Sequence, residues 1–239
     1  MKVNLLTWRA GCKAGLAIAV GYFPVAMAFG LMAKAINISG LEATLFSLLV
    51  FAGASQFMAL NLIKAGVFSG EIILATLLLN FRHFLMSAAL STRLEDRRFW
   101  RLALVAFGIT DETFALAMTR EGKLNFSFLL GLEGTAYLAW VLGTVTGYLM
   151  GDGLPPAWQN SLAIGLYAMF AAILVPEGKK SARLLMVAAL AGLINTGLSY
   201  LGRLPGGWNL IIAMVAAAAF ALVMDRGREE ERCRATTSG

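Results

Sequence analysis

Long stretches of this chain carry no charge at all. Residues 14–33 run uncharged between Lys13 and Lys34, residues 43–63 between Glu42 and Lys64, and residues 153–176 between Asp152 and Glu177. Residues 184–202 and 204–224 are separated only by Arg203. About 20 mostly apolar residues make a helix that crosses about 30 Å of hydrocarbon, so each stretch has the length of a membrane span. Three further apolar stretches hold internal charges: 72–92 with Arg82, 102–119 with Asp111 and Glu112, and 124–151 with Glu133. Only loops and a polar tail, residues 225–239, remain outside them, too little for a soluble domain. The pattern predicts an all-α polytopic membrane protein with about 6–8 transmembrane or re-entrant helical segments. It predicts one transmembrane domain over 1–224 and a disordered cytoplasmic tail over 225–239.

Composition narrows the function. The chain is 59% apolar and 14% charged, against about 25% charged in a soluble domain. The net charge of +6 does not point to nucleic acid, because no polar segment interleaves Lys and Arg with aromatics. Cytoplasmic loops of membrane proteins collect Lys and Arg, which accounts for the excess. Cys12 and Cys233 lie far apart and in no ligand spacing. His83 is the only histidine, which excludes a multi-histidine metal site. No cofactor is expected. Lys2, Arg9 and Lys13 precede an apolar run, and Ala26-Met27-Ala28 has the form of a leader cleavage site. The run continues to Ala33, so the expectation is a retained span.

The basic stretches are Lys2/Arg9/Lys13, Arg93/Arg97/Arg98/Arg101, Lys179/Lys180/Arg183 and Arg226/Arg228/Arg232/Arg234. The positive-inside rule puts all four in the cytoplasm, with both termini inside. Yet three apolar segments separate the first stretch from the second, and three separate the second from the third. Either one segment in each group is broken or re-entrant, or the charge rule fails. The candidates are 43–63, with Gly53-Ala54-Ser55-Gln56 near its middle, and 102–119, with Asp111-Glu112. Irregular backbone at membrane depth is tolerated where it lines a cavity or is buried in protein. The two groups also hint at an internal repeat, in which Gly21-x-x-Pro24 aligns loosely with Gly108-x-x-Asp111.

Several polar or breaking residues sit inside these segments. Pro24 removes a backbone donor and blocks the carbonyl one turn earlier, so a kink or break is expected there. The freed carbonyl could take a substrate ammonium, or the kink could serve packing alone. Gly53, Ser55 and Gln56 either admit a ligand or bond neighbouring helices. Asn80 and Arg82 lie mid-segment, where arginine costs a few kcal/mol or more unless paired or hydrated. Arg82 could bind a substrate carboxylate, or pair structurally with Asp111, Glu112 or Glu133. His83 could relay protons or serve as a hydrogen-bonded packing residue. Asp111 and Glu112 mark a substrate or proton path, or lie on an interfacial helix in water. Being adjacent, they cannot share one helix face. Glu133, in a segment longer than one span, is expected near an interface. Gly131, Thr135, Ala139, Gly143, Gly147 and Gly151 form a small-residue stripe for close helix packing. Asn195 and Ser199, four apart, read as packing residues.

A set of phrases resembles the AzlC family, the large subunit of bacterial branched-chain amino-acid exporters linked to azaleucine resistance. They are Pro24 through Gly30, Ser47 through Phe57, Asn80 through Ser87, and Thr110-Asp111-Glu112. The likeness is strongest over roughly residues 10–120. The resemblance implies a bacterial inner-membrane exporter of leucine, isoleucine, valine and, as a further candidate, methionine. It also implies a small AzlD-type membrane partner of about four helices. Secondary, proton-coupled transport is expected, because no phosphate-binding glycine loop is present. The substrate-binding expectation is Pro24, Gly53, Ser55, Gln56, Asn80, Arg82, Asp111 and Glu112. The proton-coupling expectation is His83, Asp111 and Glu112. The rivals are a transporter of another small molecule or ion, a purely structural subunit, and an intramembrane enzyme built on a Ser55–His83 dyad.

Overall fold

The computed structural model describes residues 7–151, 175, 179, 182–201, 208, 209 and 211–221. The tail 225–239, Cys233 and almost all of segment 153–176 lie outside the described residues. Every regular element among those described is a helix. The chain divides into two compact units. Met1–Asn61 with Leu79–Ala168 form one, and Leu62–Leu78 with Met169–Gly239 form the other.

Two long helices organise the first unit. Helix α1, Trp8–Ala35, starts where the Thr7 hydroxyl accepts the Ala10 amide at 3.3 Å. It ends at Asn37, whose φ of 62° is a left-handed conformation that asparagine tolerates. Helix α7, Phe126–Met150, is capped by Asn125. Their lengths of 28 and 25 residues give about 42 and 38 Å, enough to cross a bilayer. The helices pack almost backbone to backbone. A Cβ on Gly11 would land on Phe128 O, one on Gly143 on Phe23 O, and one on Gly147 on Met27 O. The stripe on α7 therefore meets α1 within the same chain, with Gly11, Gly15 and Gly30 answering from the other side. Close approach through small residues replaces the hydrophobic drive that lipid does not supply. Residue numbers rise together along the seam, from Gly11 beside Phe128 to Met27 beside Gly147. The two helices are parallel.

Both segments suspected of interruption are broken. Helix α2, Gly40–Leu49, and helix α3, Gly53–Lys64, are separated by Val50, Phe51 and Ala52. Helix α4 is Ser69–Ser91. Helix α5, Phe99–Gly108, and helix α6, Asp111–Met118, are separated by Ile109 and Thr110. Of the kink or break expected at Pro24, the break is absent. α1 is continuous through Pro24, which lies exposed on its outer face. One missing donor does not end a helix whose other face is held by α7 along its length. The loose repeat loses its basis here, because Gly21 lies mid-helix and Gly108 lies at a break.

The α5–α6 pair enters and leaves at one end of α7. Trp100 stacks edge-on against Phe126 at 5.5 Å where α5 begins. Phe107 reaches Tyr137, halfway up α7, at 5.7 Å. After α6, Arg120 sits over the Phe128 ring at 5.6 Å, back at the start of α7. The Arg93 guanidinium closes this end, donating to Met118 O at 3.3 Å, to Gly122 O at 2.6 Å and to Arg120 O. The α2–α3 pair starts from the opposite end, where Gly40 lies against the Tyr148 ring. Ser47 then meets Thr144 at 2.7 Å, and Tyr137 donates to Leu48 O at 2.9 Å.

The second unit contains α8, Ala182–Leu201, and α9, Ile211–Ala221. The Ser199 hydroxyl donates to Asn195 O at 2.8 Å and accepts from Asn209 Nδ2 at 3.4 Å. Asn195 and Ser199 thus do share a face, and they bond locally.

Candidate functional site

The first break is closed by a single side chain. The last carbonyls of a helix have few intrahelical donors. Phe46 O and Val50 O each take one backbone bond, from the Val50 and Ala52 amides, and the Gln56 amide nitrogen adds a second, at 2.9 Å to Phe46 O and 2.6 Å to Val50 O. Its carbonyl accepts from Trp140 Nε1 at 2.8 Å. Gln56 is fully buried, and its donors are spent on the protein. Gly53 presses on the same indole, where a Cβ would stand 2.9 Å from Trp140 Cζ2. The small residue thus serves the approach of Trp140. The Ser55 hydroxyl donates to Ala52 O at 2.9 Å and accepts from Asn80 Nδ2 at 3.1 Å. His83 is half-buried and makes no hydrogen bond among the described residues. The Ser55–His83 dyad of an intramembrane enzyme is therefore not formed.

The second break is charged. Thr110 caps α6 in a capping box with Thr113. Asp111 and Glu112 are the first two residues of α6, where the helix dipole favours anions. They diverge, as adjacent residues on a helix must. Asp111 Oδ2 lies 2.6 Å from Arg82 Nη1. Glu112 instead takes a hydrogen bond from the Tyr22 hydroxyl, which also lies 2.8 Å from Thr110 Oγ1. The structural pairing of Arg82 with Asp111 is thus made. It is not sealed, for the two side chains keep 37% and 29% of their surface exposed.

Helix α4 joins the two breaks. Asn80 bonds the first turn of α3, and Arg82 two residues later pairs with the first turn of α6. Each keeps a polar atom in reserve: Asn80 Oδ1 and Arg82 Nε are buried without a partner. Tyr22 and Trp140 connect the breaks from behind. Their rings meet edge-on at 5.3 Å, and Tyr22 also contacts Phe51 at 6.1 Å. One network therefore runs from Glu112 through Tyr22 and Trp140 to Gln56.

Of the expected site residues, Gly53, Ser55, Gln56, Asn80, Arg82, Asp111 and Glu112 are gathered at the two breaks. Pro24 is not among them. Two residues were missed. Tyr22 looked like one more aromatic in an apolar run, and its hydroxyl finds Glu112 only in three dimensions. Glu133 is 4% exposed, on the α7 face that meets the end of α5. Its charge inside an apolar segment was the available signal.

The comparisons with known proteins agree with this picture. The family model for AzlC protein matches residues 17–154, which contain both breaks and α4. The chain is 36% identical over 194 residues to the inner membrane protein YgaZ of Escherichia coli, covering 78% of this chain and 79% of that one. It is 38% identical over 174 residues to an uncharacterised membrane protein of Archaeoglobus fulgidus, covering 72% and 76%. It is 24% identical over 228 residues to the branched-chain amino acid transport protein AzlC of Bacillus subtilis, covering 93% and 87%. No solved structure matches. These names point to transport rather than catalysis. α1, α4 and α7 are each long and apolar enough to cross a membrane. The chain therefore belongs to the AzlC family of membrane transport proteins.

Proposed function

We propose that this protein is the large subunit of a secondary transporter that exports branched-chain amino acids across the bacterial inner membrane, coupled to protons. Leucine, isoleucine and valine are the proposed cargo, with methionine as a further candidate. The relative from Bacillus subtilis carries branched-chain amino acid transport in its name. The observation that carries the reading is the part-open Arg82–Asp111 pair between two helix breaks, with Arg82 Nε and Asn80 Oδ1 unspent. A zwitterion needs donors for its carboxylate and acceptors for its ammonium. Arg82 offers the first in the planar geometry that suits a carboxylate. Asn80 Oδ1 and the Asp111 carboxylate offer the second. An aliphatic side chain would lie against the aromatic run Phe51–Tyr137–Phe107, whose rings meet at 5.3 and 5.7 Å.

The topology proposed with it resolves the charge conflict. Arg9 and Lys13 lie near the start of α1, and Arg93, Arg101 and Arg120 lie at the parallel start of α7. The positive-inside rule makes that end cytoplasmic. The α5–α6 pair then enters and leaves from the cytoplasm. The α2–α3 pair starts from the outer face, and equal sidedness at both ends of residues 14–92 requires it to return there. Two broken pairs from opposite faces would meet at Asn80 and Arg82, which suits alternating access to one site. A small AzlD-type membrane subunit belongs to this proposal as the working partner.

The test is efflux of labelled leucine from cells lacking their own exporter, with and without this chain and its partner. Arg82→Ala lowers efflux by roughly 10- to 100-fold and Arg82→Lys weakens it less, while both proteins assemble. Normal export by both variants would refute the site. Efflux from vesicles that persists at full rate after the proton gradient is collapsed would refute the coupling.

A further inference from the structure

We propose that Glu133 binds a monovalent cation, a proton or a sodium ion, against the carbonyl end of α5, and that this ion couples to the movement of the substrate. The coupling rests on the transport reading above, whereas the binding site stands without it.

Glu133 is the only charged residue in the buried set of the described residues, at 4% exposure. It makes no hydrogen bond and no ion pair among them. Its carboxylate faces the break, because a Cβ on Gly108 would stand 2.6 Å from Glu133 Oε2 and 3.1 Å from Cδ. Gly108 is the last residue of α5. The final carbonyls of a helix have no intrahelical donors, and that end carries the negative pole of the dipole. No bond from the Ile109 amide back into α5 relieves it. Gly108 O accepts one long bond, from the Thr113 hydroxyl at 3.5 Å.

Glu133 thus lies without a partner beside the last residue of α5, at the helix end whose carbonyls want a donor. A buried carboxylate at the negative pole of a helix lacks a positive charge. A proton on Glu133 would let the acid donate to a carbonyl. A sodium ion would instead be held by carboxylate, carbonyl and hydroxyl oxygens, the ligands that hard cations take and that helix C-termini offer in transporters. Neighbouring ionisable groups do not supply the charge. On α6, Asp111 pairs with Arg82 and Glu112 accepts from Tyr22 of α1. On α5, Arg101 pairs with Asp96, and on α7 the Tyr137 hydroxyl is spent on Leu48 O.

The link to substrate is short. Gly108, against Glu133, is three residues from Asp111, which holds Arg82. An ion that pulls Glu133 onto the end of α5 fixes the break that positions Asp111. Release of the ion frees that break, and with it Arg82.

The first experiment measures the unfolding midpoint of the purified full-length protein in detergent. Sodium chloride is titrated against choline chloride at constant ionic strength, and pH is varied separately. The midpoint of the parent protein rises with sodium if sodium is the ion. If it is the proton, the midpoint rises on acidification and is indifferent to sodium. Glu133→Gln removes the rise, and Glu133→Asp, which keeps the charge, retains it in shifted form. A parent protein indifferent to both, or a Gln variant that responds as the parent does, overturns the binding site. The second experiment reconstitutes the chain with its partner in liposomes. Glu133→Gln is expected to keep leucine exchange and to lose gradient-driven leucine accumulation down to the protein-free level. Accumulation equal to the parent overturns the coupling. A parent that moves no leucine overturns the transport reading, and the midpoint experiment still decides the site.

Discussion

The α2–α3 and α5–α6 breaks interrupt the helix in the same way and are stabilised in opposite ways. At the first, neutral groups satisfy every exposed carbonyl they reach, and Gln56 ties α2 to Trp140 with no surface left open. At the second, carboxylates crowd the start of α6 and are balanced by partners on other helices, Arg82 on α4 and Tyr22 on α1. A neutral, satisfied break has no reason to change when a charged substrate arrives. A charged break shared among helices does, since any ion or zwitterion redistributes its pairings. The contrast assigns the first break to shape and the second to motion.

Removing Gln56 is the strongest way to break this contrast. Gln56→Leu orphans the Trp140 indole N–H and strips Phe46 O and Val50 O of their side-chain donor, leaving each with one backbone bond; a buried unsatisfied group costs about 1–3 kcal/mol. Folding should fail or the unfolding midpoint collapse, with transport lost only as a consequence. A stable variant with impaired efflux would move the first break into the transport machinery. Arg82→Ala has the opposite signature. Losing charge-assisted bonds to substrate, about 1.5–3 kcal/mol, lowers efflux by roughly 10- to 100-fold. The midpoint barely shifts, because a part-exposed pair contributes little to stability. An equal loss of stability and transport would make the pair structural. Tyr22→Phe tests the connection between the breaks. It keeps the ring against Trp140 and removes the bond to Glu112, for a loss of about 1.5 kcal/mol or more in chemical denaturation. Gly53→Ala should perturb packing less, by about 1–3 kcal/mol, because a methyl group forces Trp140 aside.

The smallest effect sharpens the first break at its entrance. Ser39 caps α2, bonding the Glu42 amide at 3.2 Å, while its own hydroxyl and amide donate to the Glu42 carboxylate. Ser39→Ala should cost about 1 kcal/mol. The Ser39 hydroxyl, then the Ser39 amide, hold the Glu42 carboxyl below its usual range. That contribution is present at neutral pH, above the unfolded value, and is lost as pH falls through the lowered folded value. Unfolding followed on acidification should show a shallower loss in Ser39→Ala than in the parent.

Much of this arrangement was legible before any coordinates. The parity of basic stretches across three apolar segments called for either an interruption in each group or a failure of the charge rule, and both nominated segments break. The first does so between Leu49 and Gly53, the second between Gly108 and Asp111. Residues 80–82 and 111–112 drew attention because charge at membrane depth is costly. Other features were not legible. Pro24 pointed to a kink or a break, and contact with α7 keeps the helix unbroken. Gln56 left two readings open, and only the positions of Phe46 O, Val50 O and Trp140 choose the structural one. The stripe on α7 announced close packing without naming α1 as its partner.

Composition and charge spacing by themselves determined the solvent of this chain, the positions of its helices and the few polar groups that must find partners inside them. Those properties are local, because the bilayer acts on each segment according to its own length and apolarity. The tertiary structure decided which charge meets which. Parallel packing of α1 on α7 carries Tyr22 to Glu112, brings α4 across both breaks, and leaves Glu133 buried against the last residue of α5 with no ion pair among the described residues. Such pairings join residues some 25 to 90 positions apart, and no hydrophobic period encodes a distance of that kind.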